Sequence, residues 1–306
     1  MKEESRDEVG PRLLLGAPIA AEIRADVKAD VAAFARRRGR APTLAVVLVG
    51  RDAPSAVYLH QILKHCQSVG IDGRLVEIPG RATAAQVREE VRRLNADPLV
   101  AGIIVQMPLP KRIPLSAVVD TLEPAKDIDG LHPRNVGLMT LGYDGFLPTT
   151  AHAAVELLKR SGIPLEGRHA VVVGRSNVVG KPAALLLLRE NATVTVCHSR
   201  TTDLAAQTRR ADILVVAAGR PGLITGDMLK PGAVVVDVGI NVVGERIVGD
   251  VDFESARGVV SAITPVPGGV GPVTNALLLT HLLTAAHHLA ENGRVDRPLQ
   301  PVGSRP

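Results

Sequence analysis

The stretch Val171–Leu188, VVVGRSNVVGKPAALLLL, has the pattern of a buried strand, a glycine turn and the start of a helix. Three valines end at Gly174, a short polar loop closes at Gly180, and Pro182 opens an apolar helical run. Glycine lets the backbone approach a phosphate closely, and the N-terminus of a helix favours negative charge. The pattern therefore predicts a Rossmann-type unit that binds a nucleotide. Because Ser176 stands where a second glycine is usual, an ordinary turn between strand and helix remains the alternative.

The end of the next strand indicates which dinucleotide binds. An NAD site places an Asp or Glu about 20 residues after the glycine turn. Here the strand Thr193–Cys197 is followed instead by Ser199 and Arg200, and Arg175 lies in the glycine loop. Arginine matches the geometry of a phosphate group, so this lining predicts NADP rather than NAD. The alternative is that both arginines are solvated surface residues.

The composition predicts an aliphatic core and excludes one class of partner. The chain has 306 residues, 46% of them hydrophobic, with no Trp and only 2% aromatic residues. This length indicates two domains or one large one. Scarce aromatic rings argue against single-stranded nucleic acid, and the net charge of +5 is scattered rather than clustered. We therefore expect no nucleic-acid partner.

Sequence features also bear on the cellular compartment. The N-terminal segment is polar, unlike a signal peptide, and no apolar run reaches membrane-spanning length. Cys66 and Cys197 have neither metal-binding nor redox spacing, which predicts two buried thiols in a reducing compartment. We expect a cytoplasmic protein with no membrane partner and no metal.

The part of the chain before residue 110 has a βαβαβ pattern. The predicted helices are Pro18–Arg38, Ala53–Val69 and Thr83–Asn95, and the predicted strands are Thr43–Val49, Arg74–Ile78 and Val100–Gln106. Strands that alternate with helices in this way favour a parallel sheet with right-handed connections.

A second α/β repeat follows a predicted hinge at Leu147–Thr150. It comprises helix Ala151–Arg160, strands Ala170–Val173, Thr193–Cys197, Ile213–Ala217 and Ala233–Val238, and a final helix Val273–Glu291 that we expect to pack back onto the first repeat. The predicted fold class is α/β, with two lobes, a cleft between them and a Rossmann-type parallel sheet in the second. The predicted boundaries are 1–149 plus 275–306 for the first lobe and 150–274 for the second, with disordered tails at 1–12 and 293–306.

Four segments are expected at the carboxyl ends of strands, where ligands bind in open α/β sheets. In the first lobe they are Gln106 at a strand end, the acidic loop Lys126–Gly130 and the helix that carries Tyr58. In the second lobe the loop Pro265–Pro272 is rich in proline and glycine. Each segment alone is consistent with a simple turn, but their convergence predicts a ligand site.

These segments resemble the bifunctional methylenetetrahydrofolate dehydrogenase/methenyltetrahydrofolate cyclohydrolase family. The resemblance extends from Gly16 to Glu291 without large gaps. The segments that carry it are VGRSNVVGKP (Val173–Pro182), KDIDGLHPRNVG (Lys126–Gly137), QMPLP (Gln106–Pro110) and PVPGGVGPVT (Pro265–Thr274). The resemblance implies an NADP-dependent enzyme of one-carbon metabolism that acts on tetrahydrofolate derivatives as a homodimer.

The resemblance also implies roles for single residues. Folate would lie between the lobes. Asp129 would accept hydrogen bonds from the donor edge of the pterin, Gln106 would face the reacting centre, and Tyr58 would pack against the aminobenzoate. The loop residues implied at the substrate are Pro267, Gly268 and Gly269, and those implied at the dinucleotide are Gly174, Arg175, Ser176, Ser199, Arg200, Ile240 and Thr274. The first lobe would be the folate-binding catalytic domain and the second the NADP-binding domain.

One position departs from the family pattern. The family has a lysine four residues after the tyrosine, whereas this chain has Ile62 there. That spacing puts the two side chains on one helical face, about 40° apart. His65 and Gln61 fall on or near the face of Tyr58, but Lys64 lies about 200° round the helix from Ile62. His65 and Gln61 are therefore the candidate substitutes.

The departure affects the two half-reactions differently. Hydride transfer to NADP depends chiefly on alignment of the reactants, whereas hydrolysis of the methenyl product requires proton transfer, which isoleucine cannot perform. We expect NADP-dependent oxidation of 5,10-methylenetetrahydrofolate to 5,10-methenyltetrahydrofolate, with cyclohydrolase activity to 10-formyltetrahydrofolate called into question by Ile62. The alternatives are a fully bifunctional enzyme with another proton carrier, a paralogue for a related pterin, and a catalytically impaired protein that binds folate and NADP.

Overall fold

The computed structural model describes residues 10–50 and 53–292. Contacts between Cα atoms divide the chain into two compact units. Of the described residues, the first unit contains 18–149 and 273–292, and the second unit contains 10–17 and 150–272.

The helices are α1 (Gly16–Arg38), α2 (Ala53–Val69), α3 (Ala84–Ala96), α4 (Ser116–Val119), α5 (Pro133–Leu141), α6 (Thr149–Arg160), α7 (Gly180–Arg189), α8 (Leu204–Thr208), α9 (Phe253–Ala256) and α10 (Val270–Asn292). The strands are β1 (Arg12–Leu13), β2 (Thr43–Val49), β3 (Asp72–Ile78), β4 (Val100–Val105), β5 (His169–Val173), β6 (Thr193–Cys197), β7 (Ile213–Val216), β8 (Val234–Asp237), β9 (Asn241–Val243), β10 (Arg246–Val248) and β11 (Ala262–Ile263). A short 3₁₀ turn lies at Gly226–Met228.

The first unit is built on a three-stranded parallel sheet in the order β3-β2-β4. Every residue of the central strand β2 is buried, which accounts for its continuous apolar sequence TLAVVLV. Thr43 pairs with Asp72 of β3 and with Val100 of β4, so the three strands end at the same edge. The N–H of Gln106, just beyond β4, donates to the carbonyl of Val47 at 2.8 Å.

Local sequence explains where α3 begins and which side it buries. The hydroxyl of Thr83 accepts a hydrogen bond from the N–H of Gln86, whose side chain accepts one from the N–H of Thr83 in return. Val87, Val91 and Leu94 follow at helical spacing and are buried against the sheet side of the unit.

The final helix α10 packs onto the first unit, as the sequence predicts. Nδ1 of His281 donates to the carbonyl of Ile128 at 2.8 Å, and the ring of His287 meets that of Phe34 at 5.1 Å, edge to face. A Cβ at Gly102 of β4 would collide with side-chain atoms of Leu282 and Ile128, so a larger residue there would displace both side chains.

The second unit has a six-stranded sheet in the order β1-β11-β8-β7-β5-β6, with every pairing parallel. The strands β5, β7 and β8 at its centre are almost wholly buried and consist mainly of valine, leucine and isoleucine. A buried aliphatic cluster fills the space on one side of the sheet. The predicted α/β class and the Rossmann-type parallel sheet are confirmed.

The start of the chain departs from the predicted boundaries. Residues 10–17 belong to the second unit rather than to the first lobe, because β1 pairs with β11. The N–H groups of Arg12 and Leu14 donate to the carbonyls of Ser261 and Ile263, each at 2.9 Å, and Leu14 is buried. The predicted disordered tail is therefore wrong for residues 10–12, while 1–9 and 293–306 lie outside the described residues. At the other boundary the division falls at 272/273 instead of 274/275.

Several short elements have no counterpart in the sequence prediction. They are strand β1, the antiparallel hairpin β9–β10, strand β11, the short helices α4, α5, α8 and α9, and the 3₁₀ turn. Their apolar positions are too few to show a period, so hydrophobic periodicity does not reveal them. The long predicted elements start and end within three residues of the observed ones.

In 10–50 and 53–292, no helix combines the length and the apolar character that crossing a membrane requires. The same residues contain no group of three or more His, Cys, Asp or Glu side chains placed to hold a metal ion. Cys66 and Cys197 are both buried free thiols, as predicted.

Candidate active site

The glycine turn of the second unit connects β5 tightly to α7. Gly174 has a φ of +123°, and its N–H donates to the carbonyl of Cys197 in β6 at 2.9 Å. A Cβ at Gly174 would collide with the carbonyl of Ala217, and a Cβ at Gly180 would collide with that of Gly174. Both positions therefore require glycine, because the backbone carbonyl of another residue lies too close to leave room for a Cβ atom.

Ser176 explains why the fingerprint departs from the usual glycine pattern. Its hydroxyl accepts hydrogen bonds from the N–H groups of Val179 at 3.1 Å and Gly180 at 3.3 Å, and so closes the loop in front of α7. Within the described part of the chain, the backbone N–H groups of Arg175 and Ser176 have no acceptor. Such free, solvent-facing N–H groups fit a pyrophosphate.

The residues predicted to bind the 2′-phosphate lie at the ends of two neighbouring strands of this sheet. β5 and β6 are neighbours, with Val173 opposite Cys197, and β6 ends in a tight turn that exposes Ser199 and Arg200. Arg175 is also exposed, and neither guanidinium forms an ion pair or hydrogen bond with any described residue. These free cations fit the phosphate that distinguishes NADP from NAD.

The nearest downstream carboxylate is already engaged. Asp203 caps α8, with its side chain accepting a hydrogen bond from the N–H of Ala206 at 3.0 Å. It is therefore occupied and does not provide the ribose-binding acid of an NAD site. The site residues present fit an NADP molecule.

Two more of the predicted dinucleotide residues, Ile240 and Thr274, lie outside the glycine turn and the turn that follows β6. Ile240 follows β8 in the second unit and is 69% exposed. Thr274 is buried in α10 and belongs to the first unit. The second unit alone thus contains every predicted dinucleotide residue except Thr274.

The loop Pro265–Gly269 follows β11 at the carboxyl edge of the second sheet. Gly268 has a φ of +114°, and its carbonyl accepts a hydrogen bond from the N–H of Gly16 at 2.8 Å. A Cβ at Gly269 would collide with Thr264 and with the carbonyl of Pro265. Pro267 is exposed at the tip of this loop. The loop is held in one shape by close backbone packing, with its tip accessible to a ligand.

In the first unit, Lys126 anchors the acidic loop. Its ammonium group is buried and donates to the carbonyls of Leu94, Asn95 and Asp97 at 3.2, 2.7 and 2.8 Å. These carbonyls lie at the C-terminal end of α3, where a positive charge is favoured. Burial lowers the pKa of Lys126. The lysine of the motif is therefore a helix cap and not a substrate ligand.

The two acids of the loop have different surroundings. Asp127 is buried, and its Oδ2 accepts hydrogen bonds from the N–H of His132 at 2.7 Å and from Asn135 at 2.9 Å. Asp129 is half-buried, and burial together with the charge of Asp127 raises the pKa of Asp129 to about 7. Thr149 opposes this shift by a side-chain hydrogen bond. Asp127 has a structural role, which leaves Asp129 as the acid available to a ligand.

Gln106 lies where the sequence predicts, directly after β4. It is half-buried, and its Nε2 donates to the carbonyl of Met107 at 2.7 Å, which leaves its side-chain oxygen without a hydrogen bond among the described residues. The backbone of Tyr58 lies in α2, but its side chain is outside the described part of the structure. Its predicted contact with the aminobenzoate stays a prediction.

Ile62 is part of the buried face of α2. It is 2% exposed and shares this face with Leu59, Cys66 and Val69, which are also buried. Cys66 packs near Gly73 of β3, so the helix lies against the sheet on this side. Position 62 is therefore occupied by core packing, and a lysine there would place its charge among apolar groups.

The candidate substitutes lie on other parts of α2. Gln61 and Lys64 are exposed, whereas His65 is half-buried. Burial and the positive charges of Arg24 and Lys64 lower the pKa of His65. Seven residues separate His65 from Tyr58, which is about 10 Å along the helix axis. His65 thus lies towards the amino edge of the sheet, beside α1.

Comparison with known proteins identifies the family. The model of the tetrahydrofolate dehydrogenase/cyclohydrolase catalytic domain matches residues 14–129, and the model of the NAD(P)-binding domain of the same family matches residues 148–290. The chain belongs to the tetrahydrofolate dehydrogenase/cyclohydrolase family. The predicted family is thereby confirmed.

Relatives in the tetrahydrofolate dehydrogenase/cyclohydrolase family match over nearly the whole chain. The bifunctional protein FolD of Roseiflexus sp. (strain RS-1) is 51% identical over 275 residues, covering 90% of this chain and 96% of the relative. FolD of Moorella thermoacetica is 51% identical over 276 residues, covering 90% and 98%.

Solved structures of the family have the same fold. The FolD crystal structure from Campylobacter jejuni has a TM-score of 0.87 at 43% identity, covering 90% of this chain and 98% of that one. The Trypanosoma brucei enzyme, complexed with NADP cofactor and inhibitor, has a TM-score of 0.88 at 39% identity, covering 92% and 99%. The predictions of an oxidoreductase of folate one-carbon metabolism and of NADP as its cofactor are confirmed.

Sequence reasoning missed the groups that support this site. The sequence predicts no role for Lys126 beyond its place in the acidic motif. Its carbonyl partners lie 32, 31 and 29 positions earlier in the chain. Asp250, a buried acid of the second unit, was not singled out at all. No local pattern indicates such long-range partners, so only the folded chain reveals them.

Proposed function

We propose that this protein oxidises 5,10-methylenetetrahydrofolate with NADP and that replacement of the family lysine by Ile62 removes the hydrolysis of the methenyl product. NADP, when bound, accepts the hydride from the methylene carbon, and the folate product is the methenyl cation. The observation that carries the proposal is the contrast between a complete set of ligand-binding groups and an apolar, buried position 62.

The ligand-binding groups support the oxidation. The exposed Arg175, Ser199 and Arg200 would hold the 2′-phosphate, and the free N–H groups after Gly174 would hold the pyrophosphate. Asp129 would accept hydrogen bonds from the N–H groups of the pterin ring, as the resemblance implies. Hydride transfer depends chiefly on the alignment of folate and NADP, and the groups that bind the two molecules can provide that alignment.

Hydrolysis of the methenyl product requires proton transfer in addition to alignment of the reactants. Water must attack the methenyl carbon and lose a proton, and the bond between that carbon and N5 must then break as N5 takes up the proton of the new hydroxyl group, which leaves 10-formyltetrahydrofolate. A general acid or base typically contributes about 10²–10⁴-fold to such a step. Ile62 has no titratable group and is directed into the core of the first unit. We therefore expect hydrolysis close to the rate in buffer.

Neither neighbour replaces the lysine in this proposal. Gln61 is exposed and does not titrate in the physiological range. His65 has a lowered pKa and is therefore a neutral base at pH 7, but it lies about 10 Å along the helix from Tyr58. A fully bifunctional enzyme would need another proton carrier, and His65 is the titratable candidate on this helix that the experiment must test.

We also propose that the protein is a cytoplasmic homodimer. Its two cysteines are buried free thiols, as is usual in a reducing compartment. The hairpin β9–β10 exposes Val242, Val243 and Ile247, at 66, 52 and 47%. Apolar side chains grouped in this way are typical of a protein interface. Sedimentation equilibrium of the wild type and of Val242→Lys tests this, with a weaker dimer expected for the variant.

The test of the proposed function measures both half-reactions on the same preparation. Purified protein receives methylenetetrahydrofolate and NADP, and the absorbances of NADPH and of the methenyl product are followed together. We expect the two to rise in parallel, and hydrolysis of added methenyltetrahydrofolate to match that in buffer. Enzymatic hydrolysis comparable to oxidation would contradict the role of Ile62. In that case loss of hydrolysis in His65→Ala, with oxidation retained, would establish the bifunctional alternative.

A further inference from the structure

Asp250 is a fully buried carboxylate that accepts four hydrogen bonds. Its Oδ2 accepts from the N–H groups of Ala218 at 2.6 Å and Gly219 at 2.8 Å. Its Oδ1 accepts from the N–H of Arg220 and from Nδ2 of Asn241, each at 2.8 Å. None of its solvent-accessible surface remains. A buried charge of this kind persists because every oxygen is paired.

The four donors come from two loops at one edge of the sheet. Residues 218–220 follow β7, and Asn241 follows β8 directly after the exposed Ile240. β7 is also the neighbour of β5, and the N–H of Ala217 donates to the carbonyl of Val173 at 2.8 Å. The loop held by Asp250 therefore begins beside Gly174, the first glycine of the dinucleotide turn.

We propose that Asp250 is a positioning residue for NADP, which acts by holding residues 218–220 and Ile240 at the dinucleotide edge of the sheet. This inference rests on the proposed function, because it takes NADP as the ligand of that edge. Asp250 itself is buried beneath the loops and does not touch the cofactor.

A carboxylate is the only side chain that satisfies this arrangement. All four of its partners are hydrogen-bond donors, and three of them are successive backbone N–H groups. An amide at this position would place its NH₂ group against some of these donors, where no hydrogen bond can form. The site leaves no room for a longer side chain, since a Cβ at Gly239 would already collide with the Asp250 carboxyl group. The backbone of Asp250 is fixed in turn by Asp237, whose Oδ1 accepts from the N–H of Asp250 at 3.0 Å.

The test uses Asp250→Asn, Asn241→Ala and the control Asp212→Asn. Asp212 is also an acid of this sheet, but it precedes β7 at the opposite edge, where it accepts from the N–H of His169 at 2.9 Å and binds Lys230. Because the protein has no Trp, the fluorescence of NADPH itself reports binding without interference. Dissociation constants for NADPH, KM for folate and thermal midpoints are measured for each protein.

We expect Asp250→Asn to weaken NADPH binding by about tenfold or more and Asn241→Ala by a few-fold, with KM for folate little changed. Asp212→Asn should lower the thermal midpoint but leave the NADPH constant as in the wild type. Asn241 is half-buried and contributes one of the four donors, so its variant tests the proposal even when Asp250→Asn does not fold.

The outcomes separate this inference from the proposed function. Wild-type affinity for NADPH in Asn241→Ala and in any folded Asp250→Asn would overturn the positioning role and leave the proposed function intact. Weakening of equal size in Asp212→Asn would also overturn it, because the effect would then reflect stability alone. A wild-type protein that binds no NADPH would overturn the proposed function, and the inference with it.

Discussion

Asp127 raises the pKa of Asp129, two residues further along the same loop. Burial has the larger effect, and the two together bring the pKa of Asp129 to about 7. Asp127 is held in place by the N–H of His132 and by Asn135, so its position beside Asp129 is fixed. Burial, reinforced by the structural carboxylate of Asp127, thus makes Asp129 sensitive to pH near neutrality.

Folate affinity is expected to rise with pH up to about 7 and then to level off. In the proposed function the ionised Asp129 would accept hydrogen bonds from the pterin, and the protonated form would lose an acceptor. Below pH 7, affinity for tetrahydrofolate should fall about tenfold per pH unit as the protonated fraction grows. Binding titrations between pH 5.5 and 8.5 measure this. A flat profile in the wild type would contradict the role of Asp129 as the pterin ligand.

Asp129→Asn should bind folate more weakly at pH 8, by about 1–3 kcal/mol, because one acceptor becomes a donor in a buried site. Its own profile below pH 7 should be flat, since the titrating group is gone. Isothermal titration at pH 8 provides the affinity. Unchanged affinity would make Asp129 a residue that only shapes the loop.

The same variant should be more stable than the wild type at pH 8 without ligand. The raised pKa means that the folded state binds the Asp129 proton more tightly than the unfolded state, so folding loses stability as pH rises from about 4 to 7. With allowance for partial exposure, we expect a gain of about 1–2 kcal/mol at pH 8 that disappears below pH 4. Urea unfolding at the two pH values tests the sign, and a gain that grows on acidification would contradict it.

Arg175→Ala should raise the KM for NADP and leave that for NAD unchanged. Loss of a charge-assisted hydrogen bond to the 2′-phosphate is worth about 1.5–3 kcal/mol, which corresponds to roughly tenfold to a hundredfold. Arg189→Ala is the matched control, because Arg189 is exposed at the other end of α7. Initial-rate kinetics with both cofactors measure the effect. Equal efficiency of the wild type with NAD and NADP would refute the assignment.

Ile62→Lys should raise methenyl hydrolysis at least tenfold where the lysine reaches the substrate. Because Ile62 is buried among apolar residues, the new charge should also destabilise the first unit. Ile62→Met, which keeps an apolar side chain, controls for packing and should hydrolyse no faster than the wild type. Hydrolysis and thermal midpoint are measured on all three. A stable lysine variant with unaltered hydrolysis would show that the missing lysine is not what limits this step.

Lys126→Met should destabilise the protein by about 2–4 kcal/mol, because the variant leaves three carbonyls at the end of α3 without their donor. Lys28→Met, at an exposed position of α1, should change stability by less than about 0.5 kcal/mol. Urea unfolding compares the two variants. Equal stability of both would show that the buried ammonium is not a significant anchor of the acidic loop.

The sequence by itself determined the regular elements and the dinucleotide turn. The strand at Thr43–Val49 is a continuous apolar run, and Gly174 and Gly180 occupy positions where only glycine fits. Such signals are local, since burial on both faces and close backbone approach select residue types directly. The residue types of Arg175 and Arg200 and the missing acid after β6 also predict a phosphate ligand, and this assignment stays a prediction.

Only the tertiary structure decided that residues 12–13 complete the second sheet, that Lys126 caps α3 and that Asp250 holds two loops. It also decided that Ile62 faces the core of the first unit, whereas helical spacing could relate it only to its neighbours on α2. Each of these facts depends on partners tens of positions away or more. A side chain's local sequence limits which hydrogen bonds and apolar contacts it can form, but the folded chain selects the partner that satisfies them.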